Sequence, residues 1–274
     1  MTHYENFPVA SILCPPRFRP AIVAIYWFAR TADDIADEGD ASAEQRLEAL
    51  AAFRGDLCAV LAGHAPSQRW PQVFKPLAQA IRNFKLPAPL LEDLLDAFVQ
   101  DVVKTQDQSA YANQDELLDY CKRSANPVGR LLLHLYGVQQ PNALALSDDI
   151  CSALQLVNFW QDLSRDIPRG RHYLPIQDGE QHKIDQAELQ NQIQSAQLTA
   201  LIAKQTRLAR AMMVRGSPLV KLIPGRAGWE LRLVVQGGLR ILDKIEALQF
   251  ATLRHRPRLR AWDVPLLLWR TLWM

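Results

Sequence analysis

Four aspartates in two distant segments have the spacing of a divalent-cation site. Asp33 and Asp37 stand one helical turn apart in Tyr26-Trp27-Phe28-Ala29-Arg30-Thr31-Ala32-Asp33-Asp34-Ile35-Ala36-Asp37. On a helix the two carboxylates share a face and can share a cation. Traced upstream, that face runs through Ala29, Ile25 with Tyr26, and Ile22. It packs inward and ends in two acids, which repel one another unless a positive charge intervenes. Asp162 and Asp166 repeat the spacing more than a hundred residues later, with Asn158 and Gln155 on the same face upstream. Either stripe alone also suits a solvated helix end. Two stripes, with Arg30 beside the first and Arg165, Arg169 and Arg171 beside the second, suit Mg²⁺ shared with a phosphorylated substrate. Other chemistries lack their residues. The six histidines include no Glu-x-x-His for a di-iron centre, and the four cysteines form no C-x-x-C. There is no G-x-x-x-x-G-K-[ST], so phosphate must be held through Mg²⁺ and arginine.

Helices must position these groups. Glycine is scarce at 12 residues, and long Ala, Leu, Gln, Glu, Arg and Lys-rich stretches repeat at helical period. The chain reads as all-α. Helices are expected over Pro20–Glu38, Ser42–Ala62, Pro71–Phe84, Pro89–Gln100, Gln114–Tyr136 with a disturbance at Asn126-Pro127, Ser147–Asp166, Asp185–Arg215 and Ala227–Gln249. Gly237-Gly238 is expected to bend the last of these. No solenoid repeat or Gly/Ser linker divides the chain, so residues 1–274 read as a single domain.

The 274 residues are 49% apolar and 22% charged with a net charge of +2, which excludes global disorder and gives no footprint of nucleic-acid binding. Widely spaced cysteines fit a reducing cytosol. The opening MTHYENFPVA lacks the pattern of a signal peptide, and no run of 18 apolar residues exists to span a bilayer. One segment is locally unbalanced: 254–274 holds Arg254, Arg256, Arg258, Arg260 and Arg270 against Asp263, together with Trp262, Trp269 and Trp273. That mixture suits peripheral contact with anionic lipid on the inner face of a membrane. A terminal helix covering a core is the plainer reading.

The two acidic motifs resemble, in order and separation, those of the squalene and phytoene synthase family of head-to-head isoprenyl diphosphate synthases. The family's D-D-x-x-D is matched by Asp33-Asp34-Ile35-Ala36-Asp37, with Tyr26 and Arg30 ahead of it. Its second motif and following R-G-R-x-Y-L-P are matched by Gln155 to Asp166 and by Arg169-Gly170-Arg171-His172-Tyr173-Leu174-Pro175. Its Y-C-x-x-x-A-x-x-V-G is matched by Tyr120 to Gly129. Two positions depart from the usual pattern, Gln161 in place of arginine and Arg165 in place of an acid. Segments 124–130 and 158–162 and the opening 5–11 look most like the bacterial hydroxysqualene-forming branch, over a similarity reaching from Tyr4 to Arg256.

The resemblance implies an isoprenoid-synthase helical bundle with a central apolar cavity. It implies Mg²⁺-dependent ionisation of presqualene diphosphate, with water capturing the rearranged cation. No NADPH is expected, since the chain has no G-x-G-x-x-G. By the same resemblance Asp33, Asp37, Asn158, Asp162 and Asp166 hold the metal. Arg30, Arg171, Lys122 and Arg123 grip diphosphate, with Gln155 nearby. Tyr26, Tyr120 and Tyr173 orient the substrate or face the cation, and Asn126 delivers the hydroxyl. Other enzymes of squalene synthesis are the implied partners. Two alternatives stay open: condensation of two allylic diphosphates, which farnesyl diphosphate alone would reveal, and a non-catalytic assembly or lipid-binding subunit, which would bind no Mg²⁺.

Overall fold

In the computed structural model, residues 13–274 are described, and the opening stretch 5–11 that entered the resemblance lies outside them. Twelve α-helices and no strand occur among the described residues. In order they are α1 (Arg19–Asp37), α2 (Ala43–Leu61), α3 (Pro71–Phe84), α4 (Ala88–Gln106), α5 (Gln114–Ser124), α6 (Asn126–Leu135), α7 (Pro141–Asp166), α8 (Ile176–Gln181), α9 (Gln186–Gln190), α10 (Ala196–Gly216), α11 (Gly225–Ala247) and α12 (Val264–Leu272).

Local chemistry sets the boundaries. Pro20 occupies the first turn of α1, where its missing N–H costs nothing. Ser42 and Gln45 form a reciprocal capping box at α2. Pro127 divides the Gln114–Tyr136 tract into α5 and α6, as the sequence foretells. Elsewhere the boundaries move. α7 begins at Pro141 rather than Ser147, because proline in its first turn starts it earlier. The Asp185–Arg215 tract breaks after α9, where Gln192 takes a left-handed φ of 54°, and restarts at the Ser195 cap. α4 continues to Gln106, past the expected end at Gln100, and so brings Asp101 onto a helix. α11 runs unbroken through Gly237-Gly238. Gly238 there serves close packing: a Cβ on it would lie 2.7 Å from Met213 Cε and 3.0 Å from Leu154 Cδ2.

Two hydrophobic cores result. Phe28, Phe53 and Phe74 centre one within α1–α4, to which Leu131 of α6 adds. Trp160, Leu201 and Val235 belong to the other, built largely from α5, α7, α10 and α11. α7 and α10 approach closely at Gly216, where an added Cβ would stand 2.7 Å from the Leu146 carbonyl oxygen and 3.0 Å from the Ile150 nitrogen.

Candidate active site

A cavity of about 910 Å³ draws its walls from helices of both cores. α1 contributes Arg30, Asp33 and Asp37; α7 contributes Gln155, Asn158, Asp162 and Asp166. The two acidic stripes therefore meet across one space. The helical period explains why Gln155, Asn158, Asp162 and Asp166 all reach it, since steps of three and four keep one face. The loop after α7 adds Arg169, Arg171 and Tyr173. Leu154, Val157, Phe159 and Ile241 add an apolar contribution to this charged lining.

Arginines neutralise the acids. Arg30 bridges Asp33 at 2.8 Å and Asp34 at 2.5 Å. Arg171 is ion-paired to Asp37. Arg256 grips Asp162 through both its Nε and its Nη2, the latter at 3.0 Å. Burial pushes the Asp33 carboxyl above its ordinary range, with Arg30 opposing the rise. Burial, then the neighbouring Asp162 charge, lifts Asp166 to about 7. Such groups invite a further cation. Among the described residues no three acids, histidines or cysteines surround one point. Each pair thus offers two oxygens and leaves the remaining positions to water and phosphate, which is how Mg²⁺ is commonly held. The all-oxygen donor set fits that ion.

Aromatic rings line the interior beside the acids. Tyr173 stacks on Phe159 with centroids 3.7 Å apart, and Tyr120 sits 6.1 Å from Phe159 and 6.5 Å from Tyr173. Both tyrosines border the cavity.

Four expected site residues do not reach it. Lys122 is exposed and Arg123 bonds Gln100 and Asp119. Lys122 follows Tyr120 by two residues, roughly 200° around α5, and so faces away from it; Arg123, at i+3, shares more of that face but is drawn off by Gln100 and Asp119. Asn126 is buried outside the lining, where its side-chain oxygen accepts the Ser152 hydroxyl at 2.9 Å. Tyr26 packs edge-on against Trp27, two turns before Asp33 and beyond the described walls of the cavity. The departures from the family pattern also separate: Arg165 stands at the cavity, whereas Gln161 is fully buried and donates its amide to the Pro257 carbonyl at 2.6 Å.

Asp101, Arg256 and Arg258 are among the cavity residues that were not expected there. Asp101 of α4 lines the cavity and accepts a 2.5 Å hydrogen bond from the Tyr120 hydroxyl. Arg256 and Arg258 come from the segment assigned to lipid contact. For Asp101 the signal was present: Leu91, Leu94, Leu95, Phe98 and Val102 carry the helical period past Gln100. For Arg256 no local signal exists, because its partner Asp162 lies far away in sequence.

Asp101 gives a pH-dependent expectation. Burial raises its carboxyl to about 7, with the Tyr120 hydrogen bond pulling the other way. The folded state then keeps a proton that the unfolded chain releases near pH 4, so this group's contribution to stability falls as pH rises from about 4 to about 7. Asp101→Asn removes the dependence and should raise stability at pH 8 by about 2 kcal/mol, after discounting the shift for cavity solvent. Thermal unfolding at pH 4 and pH 8 checks it: the gap between variant and parent should open only at the higher pH.

Comparison with known proteins follows the same lines. A family model described as squalene/phytoene synthase matches residues 1–263. A hydroxysqualene synthase of Rhodopseudomonas palustris is 34% identical over 246 residues, covering 88% of this chain and 80% of that protein. One of Zymomonas mobilis is 40% identical over 174 residues, 62% of this chain and 54% of the relative, so the match spans about half that relative's length. The crystal structure of the squalene synthase HpnC from Alicyclobacillus acidocaldarius superposes with a TM-score of 0.81 at 33% identity, covering 91% of this chain and 90% of that one.

Proposed function

The chain belongs to the squalene/phytoene synthase family, and from that premise we propose that residues 1–274 act as one unit to ionise presqualene diphosphate, rearrange it and add water to give hydroxysqualene. The convergence of Asp33, Asp37, Asp162 and Asp166 on one arginine-rimmed cavity carries this reading. Asp33 and Asp37, with Asp162, Asp166 and Asn158, would hold Mg²⁺, which supplies Lewis-acid neutralisation of the departing diphosphate. Arg30, Arg171 and Arg256 would turn from the acids they now pair toward the phosphate oxygens, where fork-shaped donors bind best. Fixed charge placed where the leaving anion develops favours ionisation over ground-state binding. The apolar side chains of the lining and the rings of Phe159 and Tyr173 face the hydrocarbon and offer the cation no nucleophile. Relatives of the hydroxysqualene-forming kind favour this reading over condensation of two allylic diphosphates, and no reductant is required.

The experiment is product analysis with presqualene diphosphate, Mg²⁺ and ¹⁸O-water, with and without NADPH. Labelled alcohol formed equally well in both arms is expected. Coupling of farnesyl diphosphate with no alcohol from presqualene diphosphate would instead assign the condensing reaction. Failure of the chain to bind Mg²⁺ would favour the non-catalytic subunit.

A water-insoluble product gives the exposed tryptophans of the C-terminal segment a use. No helix among the described residues is long and apolar enough to cross a membrane. Trp262, Trp269 and Trp273 are nevertheless 65%, 60% and 76% exposed, and Arg260 lies over the Trp262 ring. Peripheral contact with anionic lipid through α12, on the cytoplasmic face where other enzymes of squalene synthesis would meet it, belongs to the same proposal. Arg256 and Arg270 take no part in it, since they pair with Asp162 and Asp243. The Trp269→Ser, Trp273→Ser double variant should sediment about tenfold less with anionic liposomes while keeping its melting temperature. Unchanged sedimentation would remove α12 as the contact.

A further inference from the structure

Water capture by a cation leaves a proton that something must accept, and the acids of α1 and α7 are committed to arginines or metal. Asn126, the sequence-based candidate at this step, is tied to Ser152 away from the cavity. One acid remains. Asp101 stands on the cavity wall with neither an acid nor an arginine at its i±4 positions, Ala97 and Thr105, so it belongs to no metal-binding pair. Its Oδ2 accepts the Tyr120 hydroxyl at 2.5 Å, and Tyr120 borders the same cavity beside Phe159 and Tyr173. Behind it lies a second void of about 10 Å³, room for about one water, whose walls include Asp101, Lys104 and Ser109.

We propose that Asp101, coupled to Tyr120, is the proton acceptor of the water-addition step, an inference that rests on the alcohol-forming reading above. The step balances without a further reactant. A water oxygen forms the new C–O bond to the cationic carbon, and one water O–H bond breaks, its electron pair staying on the new hydroxyl. The proton passes to the Asp101 carboxylate, directly or by Tyr120 taking it while handing its own proton on. From Asp101 it leaves through the rear void toward solvent or the released diphosphate. The same pair holds the attacking water at the aromatic end of the cavity, away from the diphosphate. Burial places the proton affinity of Asp101 near neutrality, where a carboxylate both takes and returns a proton readily.

The test compares parent, Asp101→Asn, Asp101→Glu and Tyr120→Phe with presqualene diphosphate and Mg²⁺, measuring alcohol and diphosphate separately. In Asp101→Asn the alcohol formed per diphosphate released should fall about 10²-fold, the lower range for a general base, with hydrocarbons formed by proton loss from the cation taking its place. Asp101→Glu should recover part of the ratio, and Tyr120→Phe should lower it by less than Asp101→Asn does. An unchanged ratio in Asp101→Asn, with alcohol and diphosphate declining together, would overturn the proposal and leave the functional reading intact. A parent protein that makes no alcohol would overturn the functional reading itself, and this inference with it. The unfolding measurements described for Asp101→Asn exclude misfolding as the cause.

Discussion

Asp162→Ala is expected to lower Mg²⁺-dependent turnover by about 10³-fold, and Asp33→Ala by a similar factor, because each removes half of a carboxylate pair whose charge matters most as diphosphate departs. The loss should fall mainly on kcat. Arg256, released from Asp162, remains available to the phosphate oxygens, so substrate binding suffers less than ionisation does. Steady-state kinetics across a Mg²⁺ titration separates the two. Full activity in both variants would remove the aspartates from the mechanism, whatever the fate of Asp101.

Gly216→Ala should cost about 2–3 kcal/mol, and roughly 5–10 °C of melting temperature, without touching the site. The added methyl would stand 2.7 Å from the Leu146 carbonyl oxygen and 3.0 Å from the Ile150 nitrogen. Backbone atoms inside a helix cannot turn aside as a side-chain end can, so α10 must move away from α7. Gly238 offers a contrast, since its obstacles are the ends of Met213 and Leu154, and alanine there should cost about 1 kcal/mol. Calorimetry of the two variants side by side checks the order; equal melting temperatures would contradict the packing argument.

The legibility of this molecule in its sequence follows the range of the interactions concerned. Period and proline placement act locally, and they located α1, α3 and the break between α5 and α6 well. The breaks that were missed come from weaker local signals, such as the left-handed Gln192 before the Ser195 cap. Within the site, i, i+4 arithmetic brought Asp33, Asp37, Asp162 and Asp166 to the cavity, with Asn158 and Gln155 alongside. Applied to Tyr120, it would also have excluded Lys122, though not Arg123, which stands at i+3 and is turned aside by its bonds to Gln100 and Asp119. In the sequence the Gly237-Gly238 pair suggests only flexibility; its packing use, a Cβ on Gly238 crowding Met213 and Leu154, is visible only once neighbouring helices are in place. Arg256 was illegible for another reason: composition described its segment as a basic, aromatic-rich tail, and only the folded chain brings it to Asp162.

The stitch between α7 and the C-terminal segment has a practical side. The buried Gln161 amide fastens Pro257, and Arg256 beside it fastens Asp162. Because the helices preceding residue 251 carry nearly all of the two cores, a protease nick in the connector between α11 and α12 would strip the chamber of a cation while sparing most of its framework. Preparations clipped there would retain a helical spectrum and a sharp melt yet be disarmed, and intact mass is the criterion that separates them from competent protein.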